Sequence, residues 1–195
     1  SGDVLDYGVS VDRRLFDHVI GLDTALGDTL DGSELFAPQV GLDAVVLPAA
    51  TKARILAAVA HYERWRAACH TLGFDATVPY GRGLCLLFFG PSGTGKTLTA
   101  HAVAHHLGKR VLQVNVPATG DGTVSREALR LLFREAKTHN AVVFFDECEH
   151  LFEARSGSSR GAAADTGALL TELERGDALV VLATNRHAAL DPAVH

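Results

Sequence analysis

The 195-residue chain has no methionine, one tryptophan and only three cysteines. It also lacks any apolar run near the roughly 18 residues that a membrane-spanning helix needs. The longest candidate, Leu84 to Phe89, reads as a buried strand. Cysteines 69, 85 and 148 are odd in number, far apart and without metal-ligand spacing, which argues against a disulfide framework or a zinc site and for a reducing, cytoplasmic setting. No basic run is present, so a nucleic-acid groove, which needs clustered lysine and arginine, is not expected. Ser1 to Asp12 has neither the basic start nor the apolar centre of a secretory leader, and Ser1-Gly2, without an initiating methionine, reads as an expression scar.

What is there is a chain 47% hydrophobic, enough for one substantial core plus an extension. Its charge is uneven. Residues 1–37 carry eight acids against two bases, a net of −6, and the remainder sums to +1. Within that acidic extension only Leu15, Phe16, Val19, Ile20 and Leu22 suggest a short amphipathic helix. The stretch reads either as a packing extension or linker, or as a docking arm for a partner or a neighbouring subunit.

From residue 38 the pattern alternates between strand and helix. Val40 to Pro48 is an apolar loop or short strand ended by proline, and Thr51 to Leu72 repeats apolar residues at helical spacing, with Ile55, Leu56, Val59 and Tyr62 on one face and Trp65 expected in the core. Leu84 to Phe89, Arg110 to Val116, Ala141 to Phe145 and Ala178 to Ala183 read as strands. Leu98 to Leu107 reads as a helix, as does the run after Ser125, whose Leu129, Leu132, Phe133 and Ala136 share a face; Leu169, Leu170 and Leu173 mark a short one. Such a rhythm predicts an α/β fold, a doubly wound parallel sheet with helices on both faces.

The chain is organised around Gly90-Pro91-Ser92-Gly93-Thr94-Gly95-Lys96-Thr97, between the first strand and the helix that opens with Leu98. The pattern G-x-x-x-x-G-K-[ST] suits a loop whose backbone N–H groups fold around phosphate oxygens, with the helix dipole aimed at the same anion. Lys96 would reach the outer phosphates and the Thr97 hydroxyl would bind Mg2+. A glycine-rich turn ending by chance in Lys-Thr is the plain alternative, and the strand and helix on either side count against it.

Asp146-Glu147 stands at the carboxyl end of an apolar strand, where ligands bind in open α/β sheets. Asp146 would hold the magnesium ion through its water shell, and Glu147 would orient and deprotonate an attacking water. Read alone, the pair is also compatible with a solvated strand end or a helix N-cap. Asn185, ending the strand Ala178 to Ala183, could hydrogen-bond that water and the terminal phosphate, or be a turn residue.

These motifs together, with Phe144 to Phe152, Ala183-Thr184-Asn185-Arg186 and Leu190-Asp191-Pro192-Ala193, resemble the AAA subfamily of the AAA+ ATPases over about residues 41–195. The resemblance implies a P-loop NTPase sheet in the order 5-1-4-3-2, its fifth strand missing from this chain, with residues 38–195 as a large nucleotide-binding subdomain cut before the arginine fingers and the lid. It implies ATP and Mg2+ as cofactors and ADP as product. It places Lys96, Glu147 and Asn185 in catalysis, and Gly90 to Leu98 with Asp146 around the nucleotide. Residues around Gly41 to Leu47 would line the adenine pocket. It further implies a hexamer of the full-length protein that remodels, assembles or regulates another protein or complex, with this stretch alone a slow ATPase and a monomer.

Three departures qualify the resemblance. The arginine fingers and lid fall beyond His195. The loop Thr119-Gly120-Asp121-Gly122-Thr123-Val124 carries no aromatic residue of the kind that grips threaded substrate. Glu149 stands where the family commonly has Asp, and the neighbouring Cys148 and His150 read as packing residues, the pairs His105-His106 and His61 with His70 as helix surface. A scaffold or switch that binds ATP with little hydrolysis is the main alternative. A small-molecule kinase would want a basic lid, yet Gly157 to Gly161 offers only Arg160; a DNA-directed relative would want a basic surface.

Overall fold

The computed structural model describes residues 33–74, 77, 81–115, 126–148, 171–174 and 176–185. The amphipathic run at 15–22, the loop 119–124, Glu149, His150, Arg160 and residues 190–193 lie outside them. The elements are β1 (Ser33–Phe36), α1 (Ala49–Thr71), β2 (Leu84–Phe89), α2 (Lys96–His106), β3 (Arg110–Asn115), α3 (Arg126–Thr138), β4 (Ala141–Asp146) and β5 (Leu179–Thr184). Between β1 and α1 the chain makes one 3-10 turn at Leu42–Ala44, where a loop or short strand was expected.

All five strands form one sheet, ordered β1-β3-β4-β5-β2. β2, β5, β4 and β3 are mutually parallel and stand in the order expected for the first, fourth, third and second strands. A fifth parallel strand beside β2 is not among the described residues. The additional strand is β1, which runs antiparallel along β3, Ser33 opposite Val114 and Phe36 opposite Val111.

Strand alternation feeds two cores. Val111, Val142, Phe144, Leu179, Val181 and Ala183 face Tyr62 of α1 and Ala100 and Ala104 of α2. Leu112, Val114, Val143, Phe145, Val180 and Leu182 face Leu129, Leu132 and Ala136 of α3. Because β4 and β5 have a paired strand on each side and helices on both faces, every apolar residue in them is buried.

Two sequence expectations fail at the sheet's margin. Leu84 to Phe89 is not a buried strand: among the described residues β2 pairs only with β5, and its residues are half-buried or exposed, Phe89 to 53%. Trp65 is not in the core but 41% exposed, because the face of α1 turned to the sheet is set by Val59, Tyr62 and Cys69. His61, His70, His105 and His106 are exposed, and Cys148 is buried. No helix among the described residues is long and apolar enough to cross a membrane.

Candidate functional site

The parallel register decides what meets at the carboxyl end of the sheet. Phe89 lies opposite Thr184, so the residues that follow, Gly90 and Asn185, emerge side by side, and Gly90 N–H donates to the Thr184 carbonyl at 3.3 Å. β4 ends next to β5, which brings Asp146 to the same edge.

From Gly90 the chain turns through Ser92 and Gly93 into α2, whose N-cap is Gly95. Gly93 has φ +79° and Gly95 φ +85°, in the left-handed region where an L side chain is strained. A Cβ at either would meet nothing within 4 Å, so backbone conformation, rather than crowding within the chain, demands glycine there. Thr94 Oγ1 donates to the Pro91 carbonyl at 2.9 Å and pins the turn across its width. Thr99 N–H and Oγ1 both donate to the Gly95 carbonyl, at 2.8 and 2.7 Å, and fix the first turn of the helix.

Four sequence-predicted side chains converge. Lys96 Nζ donates to the carbonyls of Gly90 and Pro91 at 2.9 Å each, and to Asn185 Oδ1 at 2.8 Å. Thr97 Oγ1 donates to Asp146 Oδ2 at 3.0 Å. Asp146 uses its other oxygen, Oδ1, to accept from the Glu147 backbone N–H at 3.0 Å. Lys96, Thr97, Asp146 and Asn185 are all half-buried, whereas the Glu147 side chain is exposed. Pro91, Ser92, Gly93 and Thr94 form the exposed lip, and Leu98 on α2 is 38% exposed and takes no part in the bonded group.

Glu147 is held at φ +51°, the left-handed region, between the bond from its N–H to Asp146 and the bond from Cys148 N–H to the Ala183 carbonyl at 2.9 Å. A non-glycine residue so placed is strained and is kept there by its surroundings.

The donor set fits magnesium. Thr97 Oγ1 and Asp146 Oδ2, joined by their 3.0 Å hydrogen bond, are hard oxygen donors of the kind magnesium takes. No group of three or more His, Cys, Asp or Glu among the described residues is placed to hold a metal ion.

Beside the phosphate loop, between α1 and β2, runs a cleft of about 630 Å3 lined by Leu47, Pro48, Thr51, Arg54 and Ile55 together with Leu86 to Phe89, Thr94, Lys96 and Thr99. Of the stretch Gly41 to Leu47, only Leu47 lines it. Sequence reasoning missed the Thr94 staple and the direct Lys96–Asn185 bond. The first was readable as a hydroxyl three residues after Pro91; the second joins residues 89 apart and had no local signal.

The sequence model described as "ATPase family associated with various cellular activities (AAA)" matches residues 86–195. The chain is 36% identical over 135 residues to the ATPase histone chaperone YTA7 of Saccharomyces cerevisiae, covering 62% of this chain and 9% of that protein. It is 37% identical over 117 residues to a cell division cycle protein 48 homolog of Archaeoglobus fulgidus, covering 56% and 16%. With a 26S proteasome regulatory subunit 8 homolog of Schizosaccharomyces pombe it shares 35% over 133 residues, covering 60% and 32%. The chain thus spans a third or less of the length of these relatives. Among solved structures, the FIGL-1 AAA domain in complex with ADP superposes with a TM-score of 0.59 at 20% identity, covering 98% of this chain and 60% of that one, a likeness of fold.

Proposed function

Because the chain belongs to the AAA family of ATPases, we propose that it binds ATP with Mg2+ at the Lys96 loop and hydrolyses it to ADP and phosphate. The observation that carries this reading is the bonded convergence of Lys96, Thr97, Asp146 and Asn185 from three separate segments onto one sheet edge. A metal ion there would screen phosphate charge and orient the terminal phosphoryl group.

The chain's own residues take the remaining roles. Backbone N–H groups from Gly93 to Thr97 hold the phosphates. Lys96 places a positive charge against the outer phosphate oxygens, a point charge on a flexible stem. Asn185, fixed by Lys96, orients the water or the terminal phosphate. Glu147 accepts the proton of the attacking water, and position outweighs base strength in that task. Thr97 directly, and Asp146 through the water shell, would hold the ion.

Full-length copies would act as a ring, a hexamer, that remodels, assembles or regulates another protein, in a cytoplasmic setting. Relatives described as a histone chaperone and a proteasome regulatory subunit support a protein substrate, and three cysteines that form no disulfide support the compartment. The 195 residues by themselves are expected to turn over slowly, since arginines supplied by a neighbour can be worth factors of a thousand or more in phosphoryl transfer. The test is Glu147→Gln: nucleotide binding persists and turnover of the full-length protein disappears. Unchanged turnover would remove Glu147 from the mechanism. A parent protein that binds ATP with no measurable turnover would favour the scaffold or switch instead.

A further inference from the structure

Every proton of the Lys96 ammonium is already bonded. A lysine head group carries three donors and no acceptor, and here the three go to the Gly90 and Pro91 carbonyls at 2.9 Å each and to Asn185 Oδ1 at 2.8 Å. A phosphate oxygen can bond Lys96 only by displacing one of these acceptors. Thr97 faces no such exchange, because its hydroxyl donates to Asp146 and keeps its lone pairs for a cation.

The three acceptors are not equally free to leave. Gly90 and Pro91 offer backbone oxygens. The Gly90 N–H is tied to the Thr184 carbonyl at 3.3 Å, and the Pro91 carbonyl also accepts from Thr94 Oγ1 at 2.9 Å, so both are fixed by the fold of the loop itself. Asn185 Oδ1 belongs to a half-buried side chain one residue beyond β5, and rotation about its side-chain torsions removes it without moving backbone. Exchange at Asn185 also trades a neutral acceptor for an anionic one, which adds ion-pair attraction to the hydrogen bond. Asn185 is therefore the acceptor that a phosphate replaces.

We propose that Asn185 is a specificity-determining residue: its carboxamide competes with bound nucleotide for Lys96 and lowers the affinity for ADP relative to ATP. The inference rests on the nucleotide site proposed above. Both nucleotides must displace the carboxamide from Lys96, and only a triphosphate compensates for the loss. Its terminal phosphoryl group gives the released amide N–H groups an anionic partner, whereas a diphosphate leaves the amide to water or to Lys96 again. Discrimination of this kind is a difference of two affinities, produced by a penalty on one ligand as much as by a contact with the other. Once the terminal phosphate has left, the carboxamide reclaims the third proton of Lys96 and favours departure of ADP.

The competition is tested by isothermal titration of the parent chain, Asn185→Ala and Asn185→Leu with Mg2+ and either ADP or the non-hydrolysable β,γ-imido analogue of ATP. Alanine deletes the carboxamide and leaves space; leucine deletes it and fills the space. ADP affinity should rise several-fold in both variants. Affinity for the triphosphate analogue should stay level or fall, because the variants lose its partner together with the competitor, and the preference for triphosphate should shrink several-fold. Asn185→Ser, whose hydroxyl stops one bond short of the Oδ1 position, should repeat the ADP result if the leucine variant melts early. A carboxamide that acted only on the terminal phosphate would leave ADP affinity unchanged. Unchanged or weaker ADP binding in the variants, or a gain in Asn185→Ala with none in a leucine variant that melts like the parent, would overturn the competition while saturable heat from the parent still supported the site. Absence of heat from the parent with either nucleotide would remove the site and the competition together.

Discussion

Replacing Glu147 by glycine separates what the residue does for the fold from what it does for chemistry. At φ +51° its backbone sits where an L side chain costs about 1–2 kcal/mol. Glycine removes that strain and keeps the N–H that Asp146 Oδ1 accepts. Against this, glycine loses more backbone freedom on folding, about 0.5–1 kcal/mol. The side chain is exposed and gives up no buried area. The balance is a gain of roughly 0.5 kcal/mol, which in a domain of this size raises Tm by about 1–2 °C. Glu127→Gly, on the exposed surface of α3, removes a side chain from regular helix and should lower Tm by about 2–4 °C per kcal/mol lost. Calorimetric melting of both variants beside the parent is the assay, with ATP turnover of the full-length protein measured alongside. Glu147→Gly should melt at or slightly above the parent while turnover vanishes. A fall in Tm matching that of Glu127→Gly would refute the strain argument.

Further expectations rest on the core and on the metal ligands. Phe144→Ala empties a fully buried position in the central strands and should cost about 3–5 kcal/mol, a Tm drop of about 6–20 °C in calorimetry. The Tyr62 hydroxyl is buried, donates to the Asp177 carbonyl at 2.7 Å, and is pushed up to about 12, mainly by burial. Its folded value lies above the unfolded one, near 10. The corresponding stability, about 2–3 kcal/mol, is fully present below pH 10 and lost as pH rises toward 12. Tm should therefore fall more steeply over that interval in the parent than in Tyr62→Phe. Asp146→Asn should weaken the magnesium dependence of nucleotide binding by about 10–100-fold in titrations at fixed nucleotide, and Mg2+ removal from the parent should do likewise.

Much of this was legible in the residues because local rules and the tertiary structure agree. The phosphate loop, the apolar strands ending in Asp146 and Thr184, and the helix that buries Leu129, Leu132 and Ala136 were each written in spacing or composition. What escaped depended on neighbours. Ser33 to Phe36 has no β-branched residue and sits in an acidic stretch, so only the open edge of β3 makes it a strand. Within it, Phe36 packs edge-on against His101 of α2 at 5.1 Å between ring centres, a contact no local pattern announces. Leu84 to Phe89 looked buried because it is apolar throughout, yet its place at the sheet margin leaves Cys85 and Phe89 exposed. Asn185 drew attention as a strand-end amide, but its partnership with Lys96 followed only from the pairing of β2 with β5.

The most direct test of the account is isothermal titration of ATP with Mg2+ into the chain and into Lys96→Ala. Saturable heat at one site per chain is predicted for the parent, with affinity reduced by about 10–100-fold in the variant, the usual worth of a hydrogen bond to a charged group. No heat with the folded parent, or equal affinity in the two proteins, would contradict the assignment of the Lys96 loop as a nucleotide site.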